Sequence, residues 1–165
     1  MRLEAHGLAV DVPRGWDARI SRRAESEATG PAAPGTGADV VPTSGYTAPV
    51  LHLANFALPD GRGDYGSGAV GTMRAGDVFV ALLEFGPEAV GTALFAPRGL
   101  PRLRAGDLTE AALQRPVAGL AGAQRFFTDG GRAFCLYAVV GSVVRRSTLV
   151  TLVNGAVGRI RVAPR

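Results

Sequence analysis

QRFFTDGGRAFCLYAVVGS, residues 124–142, decides the fold. Asp129 and Gly130 stand between two apolar segments, and an Asp-Gly pair tolerates the positive φ of a tight hairpin turn, so the chain is expected to double back there. Beyond the turn Phe134, Leu136, Ala138 and Val140 fall on one face of a strand, and Cys135, Tyr137 and Val139 fall on the other. A strand that is apolar on both faces must be covered on both.

Working outward, the same double pattern recurs. In PVLHLANFA, residues 49–57, Leu51, Leu53 and Asn55 oppose Val50, His52, Ala54 and Phe56. In DVFVALLEF, residues 77–85, Val78, Val80 and Leu82 oppose Phe79, Ala81, Leu83 and Phe85. GLAVDVPRGWDARI, residues 7–20, reads as strand, turn and strand, with Trp16 anchoring the corner by burying its ring. Towards the C-terminus Leu149, Leu152, Val153, Ala156, Val157 and Ile160 recur at helical offsets, with Ser147 as cap and Gly158 as stop, and Arg159–Val162 leave the helix as a short edge strand. Between them, Pro87, Pro97, Pro101 and Pro116 allow one helix at most, from Asp107 to Arg115. The expected fold is α+β: a mostly antiparallel sheet packed with few helices in a layered sandwich, closed by a C-terminal helix.

A chain of 165 residues suits one domain, residues 1–165, with a real hydrophobic core. Residues 22–48 are rich in Pro, Gly, Ala, Ser and Thr and poor in large apolar side chains, so a flexible loop is expected at about 23–48. No apolar run approaches the roughly 20 residues of a membrane span. Glu4 and His6 interrupt what a secretory leader would need, so the expectation is a soluble, cytoplasmic protein. Cys135 is the single cysteine, which excludes an internal disulfide and reads as an inert buried thiol. All 18 basic residues are Arg, the imprint of a GC-rich genome on codon use. Their placement is lopsided: residues 1–97 balance to −4, whereas residues 98–165 hold 11 Arg and 3 acids, +8. Dispersal of these arginines over the surface is the expectation, and nucleic-acid binding is not.

Chemical motifs are sparse. Gly66 to Gly71 spell GxGxxG, but only Thr72–Gly76 separate it from the next strand, which leaves no room for the helix whose N-terminus would hold a pyrophosphate. Asp60 and Asp64 lack the alternating oxygen ligands of a calcium loop. One Cys and two separated His give no zinc spacing, no GxSxG elbow occurs, and neither metal nor cofactor is expected. GRAFCLY invites comparison with the aromatic strand of an RNA-recognition domain, but Cys135 and Leu136 stand where a small residue and a stacking aromatic belong. Glu84, the one acid in an apolar strand, is expected at the strand end facing water.

Two pieces resemble the PsbP-like superfamily, in particular its LpqN-type actinobacterial members. The opening, from Gly7 to Trp16, is similar to that family's apolar alternation into Pro-x-Gly-Trp. The close, a helix carrying Leu149 to Val157 followed by Arg159 to Val162, is similar to its last helix and strand. The resemblance implies an antiparallel sheet between helical layers and a role as a non-catalytic binding or assembly partner. With no catalytic constellation in the sequence, the partner is expected to be another protein, met by Asp60, Arg62, Asp64 and Tyr65 in the Gly-rich loop. The alternative is a small-molecule pocket or small active site where His52, Glu84 and Tyr137 converge.

Overall fold

The computed structural model describes residues 1–23 and 47–165; most of the loop expected at about 23–48 lies outside the described residues. Its centre is an antiparallel five-stranded sheet made of β3 (Asp17–Arg22), β4 (Pro49–Ala54), β5 (Val78–Glu84), β6 (Ala121–Asp129) and β7 (Arg132–Val140), in the order β3-β4-β5-β7-β6. Every residue of β4, β5 and β7 is buried, as strands with two apolar faces require. A smaller sheet, β1 (Arg2–Ala5), β2 (Leu8–Asp11) and β8 (Ile160–Val162), has the order β1-β2-β8. The turn from Pro13 to Trp16 carries the chain from one sheet to the other, and the half-buried Trp16 packs against the core there.

The β6–β7 hairpin turns one residue later than the sequence suggests. Asp129 is still in the ladder opposite Arg132, and the two-residue loop is Gly130–Gly131, with φ of 57° and 73°. Both loop positions demand positive φ, and two glycines meet that demand at less cost than Asp and Gly.

Strand alternation divides the interior in two. On the first face Leu53, Val80, Leu82, Phe134, Leu136 and Ala138 meet Leu8, Val10 and Ile160 of the small sheet and Leu149 and Val153 of helix α2 (Arg146–Val157). On the second face Val50, Phe79, Ala81, Leu83, Cys135, Tyr137 and Val139 are covered by Leu58, Tyr65, Ala69, Val70, Leu113, Val117 and Leu120. These come from irregular chain and the single turn α1 (Ser67–Val70), so among the described residues only the first face carries a long helix where the resemblance implies helical layers.

Several local expectations change. α1 fits within the glycine-rich segment where no helix was expected, because one turn needs only four residues. Gly66, with φ 73°, leads into it, and a Cβ there would overlap the Phe79 ring. Instead of a helix from Asp107 to Arg115 there are two 3-10 turns, Ala105–Asp107 and Glu110–Ala112. The paired 2.9 Å hydrogen bonds between Thr109 and Gly122 hold the chain extended between those turns. α2 starts at Arg146, one residue before the proposed cap; Ser142 Oγ, not Ser147, accepts a hydrogen bond from the Arg145 N–H. At about 100° per residue, Leu149, Val150, Val153, Ala156 and Val157 share one arc, and Leu152 falls beyond its edge. Val150 is accordingly buried, Leu152 is 42% exposed, and Ile160 belongs to β8.

Candidate functional site

On the second face, His52 of β4 and Tyr137 of β7 both lie in register with Ala81 of β5 and so occupy one row of the sheet. Residues 58–65 close over that row. Arg62 Nε donates to His52 Nδ1 at 2.9 Å; since a guanidinium only donates, the imidazole proton sits on Nε2 and is directed at Asp64 O, 2.6 Å away. Burial lowers the His52 pKa to about 4; the bond to Asp64 O opposes this shift and the Arg62 charge adds to it. His52 is therefore a neutral latch for this loop at physiological pH, with both nitrogens engaged.

Of the loop residues expected to meet a partner, only Asp60 faces outward. Arg62 also donates to Pro59 O at 3.1 Å, and Asp64 lies 3.8 Å from Arg23 Nε. Tyr65 is set edge-on to Tyr137, with ring centroids 5.5 Å apart. Tyr137 Oη accepts the Gln114 N–H at 3.1 Å, and burial raises the pKa of both tyrosines. Arg23, buried beside this cluster, donates from Nη2 to Glu84 O and lies over the Phe85 ring, 5.1 Å from its centroid. Burial pushes the Cys135 thiol up to about 12, against hydrogen bonds to Gln124 and Tyr65, so a nucleophilic thiolate is not present near neutrality.

Glu84 is on the opposite face from His52 and Tyr137, since it continues the row of Val80 and Leu82. The three residues do not line one pocket. Nor does Glu84 face water: it is 0% exposed. Arg132, also buried, grips it with two bonds, Nε to Oε1 at 3.0 Å and Nη2 to Oε2 at 2.6 Å. The same guanidinium donates to His6 O (3.0 Å), Gly7 O (2.7 Å) and Ala163 O (3.3 Å). Arg165 adds a further cation 3.3 Å from Glu84 Oε1. Burial of the carboxylate is tolerated because its charge is paired and its oxygens are bonded. The pair fastens the large sheet to the β1–β2 turn and to the chain after β8, a structural role.

Among the described residues a groove of about 410 Å³ opens outward beside α2, lined by Arg102, Leu103, Val150, Thr151, Asn154 and Gly155. Asn154 fixes its wall: the side-chain amide accepts from Leu103 N and donates to Leu103 O, each at 2.9 Å. Leu103 and Val150 are buried in the floor, while Thr151 and Gly155 are small and exposed. Among the described residues no group of three His, Cys, Asp or Glu side chains is placed to hold a metal ion. No helix among the described residues is long and apolar enough to cross a membrane.

No family model, curated protein or solved structure matches this chain. Its reading rests on its own geometry.

That geometry includes residues the sequence did not single out. Arg132 carries a signal in retrospect, a charged residue opening a strand with two apolar faces. Asn154 is the one amide side chain of α2. Arg102 carries none, because its place beside α2 depends on contacts some fifty positions away.

Proposed function

We propose that this is a non-catalytic binding or accessory protein of the cytoplasm whose partner is another protein, docked along the exposed flank of α2. The observation that carries this reading is the preformed groove between α2 and Arg102–Leu103, whose wall the Asn154 clasp holds in place. Preorganised concavity with an apolar floor is what a docking segment needs, because little ordering remains to be offset on binding. The buried titratable groups support the same reading in another way. His52, Glu84, Arg132 and Tyr137 are engaged in bonds that hold the loop and the two sheets, and His52 and Tyr137 are separated from Glu84 by the sheet itself. The PsbP-like resemblance, with its binding and assembly roles, supports the same class.

A photo-crosslinking residue placed at Thr151, in the native host, tests this proposal. A discrete protein adduct at Thr151, absent from the same probe at Arg115, is the expected result. Adducts from Asp60 in the 60–65 loop, with none from Thr151, would move the interface away from α2.

A further inference from the structure

We propose that the segment docked in the α2 groove is a short acidic stretch of the partner protein; this rests on the groove being the docking site. Arg102 stands on its wall. Arg146 lies one helical turn before Val150, and its guanidinium reaches Leu108 O at 3.3 Å. Arg159 follows the end of α2, between Gly158 and β8. Among the described residues none of these three arginines is in an ion pair. No carboxylate lines the groove, and Asp107, an acid of the neighbouring 3-10 turn, is already held 2.7 Å from Arg125. The charge lining the groove is thus the Arg102 cation, with Arg146 opening α2 and Arg159 just past its end, in a segment, residues 98–165, with 11 Arg and 3 acids.

Size and lining narrow the occupant. A volume of about 410 Å³ matches a short peptide better than a globular face. Thr151 and Gly155 let a peptide backbone approach closely, and Leu103 and Val150 offer it apolar contact. No aromatic side chain lines the groove, so the stacking that single-stranded nucleic acid uses is not provided. Carboxylates alternating with small apolar side chains complement both the rim and the floor.

The test uses the purified full chain and fluorescence anisotropy with a short labelled peptide alternating Glu with Ala and Leu. A peptide with Gln for every Glu and an oligothymidylate of similar length serve as comparators. A Cβ at Gly155 meets nothing within 4 Å, so Gly155→Trp mounts a plug in the groove without clashing at its base, and Thr151→Trp serves if that variant melts early. The acidic peptide is expected to bind, the Gln peptide to bind at least about threefold more weakly, and the plug to abolish binding. Arg102→Glu should weaken binding about threefold or more, the worth of one exposed ion pair reversed, and Arg115→Glu should leave it unchanged. Equal loss with Arg115→Glu would mean diffuse electrostatics and overturn the proposal. Tighter oligothymidylate binding, or no preference for Glu over Gln, would overturn it as well. If the Thr151 crosslink captures a protein while no acidic peptide binds, the acidic occupant falls and the docking site stands; if both fail, both fall.

Discussion

Arg132→Met tests the buried ion pair at its most exposed consequence. The substitution keeps the aliphatic bulk but removes every hydrogen bond from the guanidinium to Glu84, His6 O, Gly7 O and Ala163 O. Glu84, at 0% exposure, loses its bidentate partner and keeps Arg165, which is itself 45% exposed at the side chain. Breaking a buried pair from one side costs about 3–5 kcal/mol, because a charge is left in a poorly solvating interior. For a chain of this size that lowers Tm by roughly 10 °C. Urea unfolding of the wild type, Arg132→Met, Glu84→Gln and the double variant measures both the loss and the coupling. The double variant is expected to recover part of the Arg132→Met loss, since it removes the stranded charge along with its partner. A loss below about 1 kcal/mol for Arg132→Met, or a double variant no better than the sum of the singles, would refute the claim that Glu84 is buried as a charged, paired group.

His52 is neutral in the fold down to about pH 4, whereas the unfolded imidazole takes up a proton near 6.5. Its contribution is therefore fully present above pH 7 and is lost as pH falls from about 6.5 to about 4, up to about 3 kcal/mol. The stability difference between wild type and His52→Gln, followed by urea unfolding across that window, should shrink as pH falls, and a difference independent of pH would contradict the latch. Cys135 should resist alkylation in the folded protein at pH 8 and react once urea unfolds it; rapid labelling of native protein would show that β7 is open on its second face. Asn154→Leu removes both bonds to Leu103 and should cost about 1–3 kcal/mol, read as a lowered urea midpoint, with backbone amide exchange at Leu103 accelerated; an unchanged Leu103 exchange rate would mean that the groove wall stands without the clasp.

Much of the sheet was legible because β4, β5 and β7 each carry two interleaved apolar sets, a pattern that few other structures satisfy. The two-sided burial of Phe134 to Val140 follows from seven consecutive residues alone. Glu84 was not legible, because its burial depends on Arg132, which comes next to it only through the β5–β7 pairing, 48 residues on. The same is true of His52. Its place in the doubly apolar strand of residues 49–57 was legible, but which loop atoms engage it depends on where residues 58–65 fold back. The helix was found and its buried arc was misjudged by one position, since Leu152 is as apolar as Val150 and which edge of the apolar arc is covered is set by tertiary packing. Between Asp107 and Arg115 the prolines left room for a short helix, but the Thr109–Gly122 bridge outcompeted it. The α2 groove had no local signature, as it joins segments about fifty positions apart.

Hydrogen exchange by NMR reaches the central claim most directly: β7 is the inner strand of a sheet sealed on both sides, paired to β5 along one edge and to β6 along the other. The amides from Arg132 to Val140, on both alternating sets, are expected to exchange only through global unfolding, as slowly as any in the protein. Rapid exchange of alternate residues along this strand, or of the whole stretch, would contradict the sealed sheet and every role assigned from it.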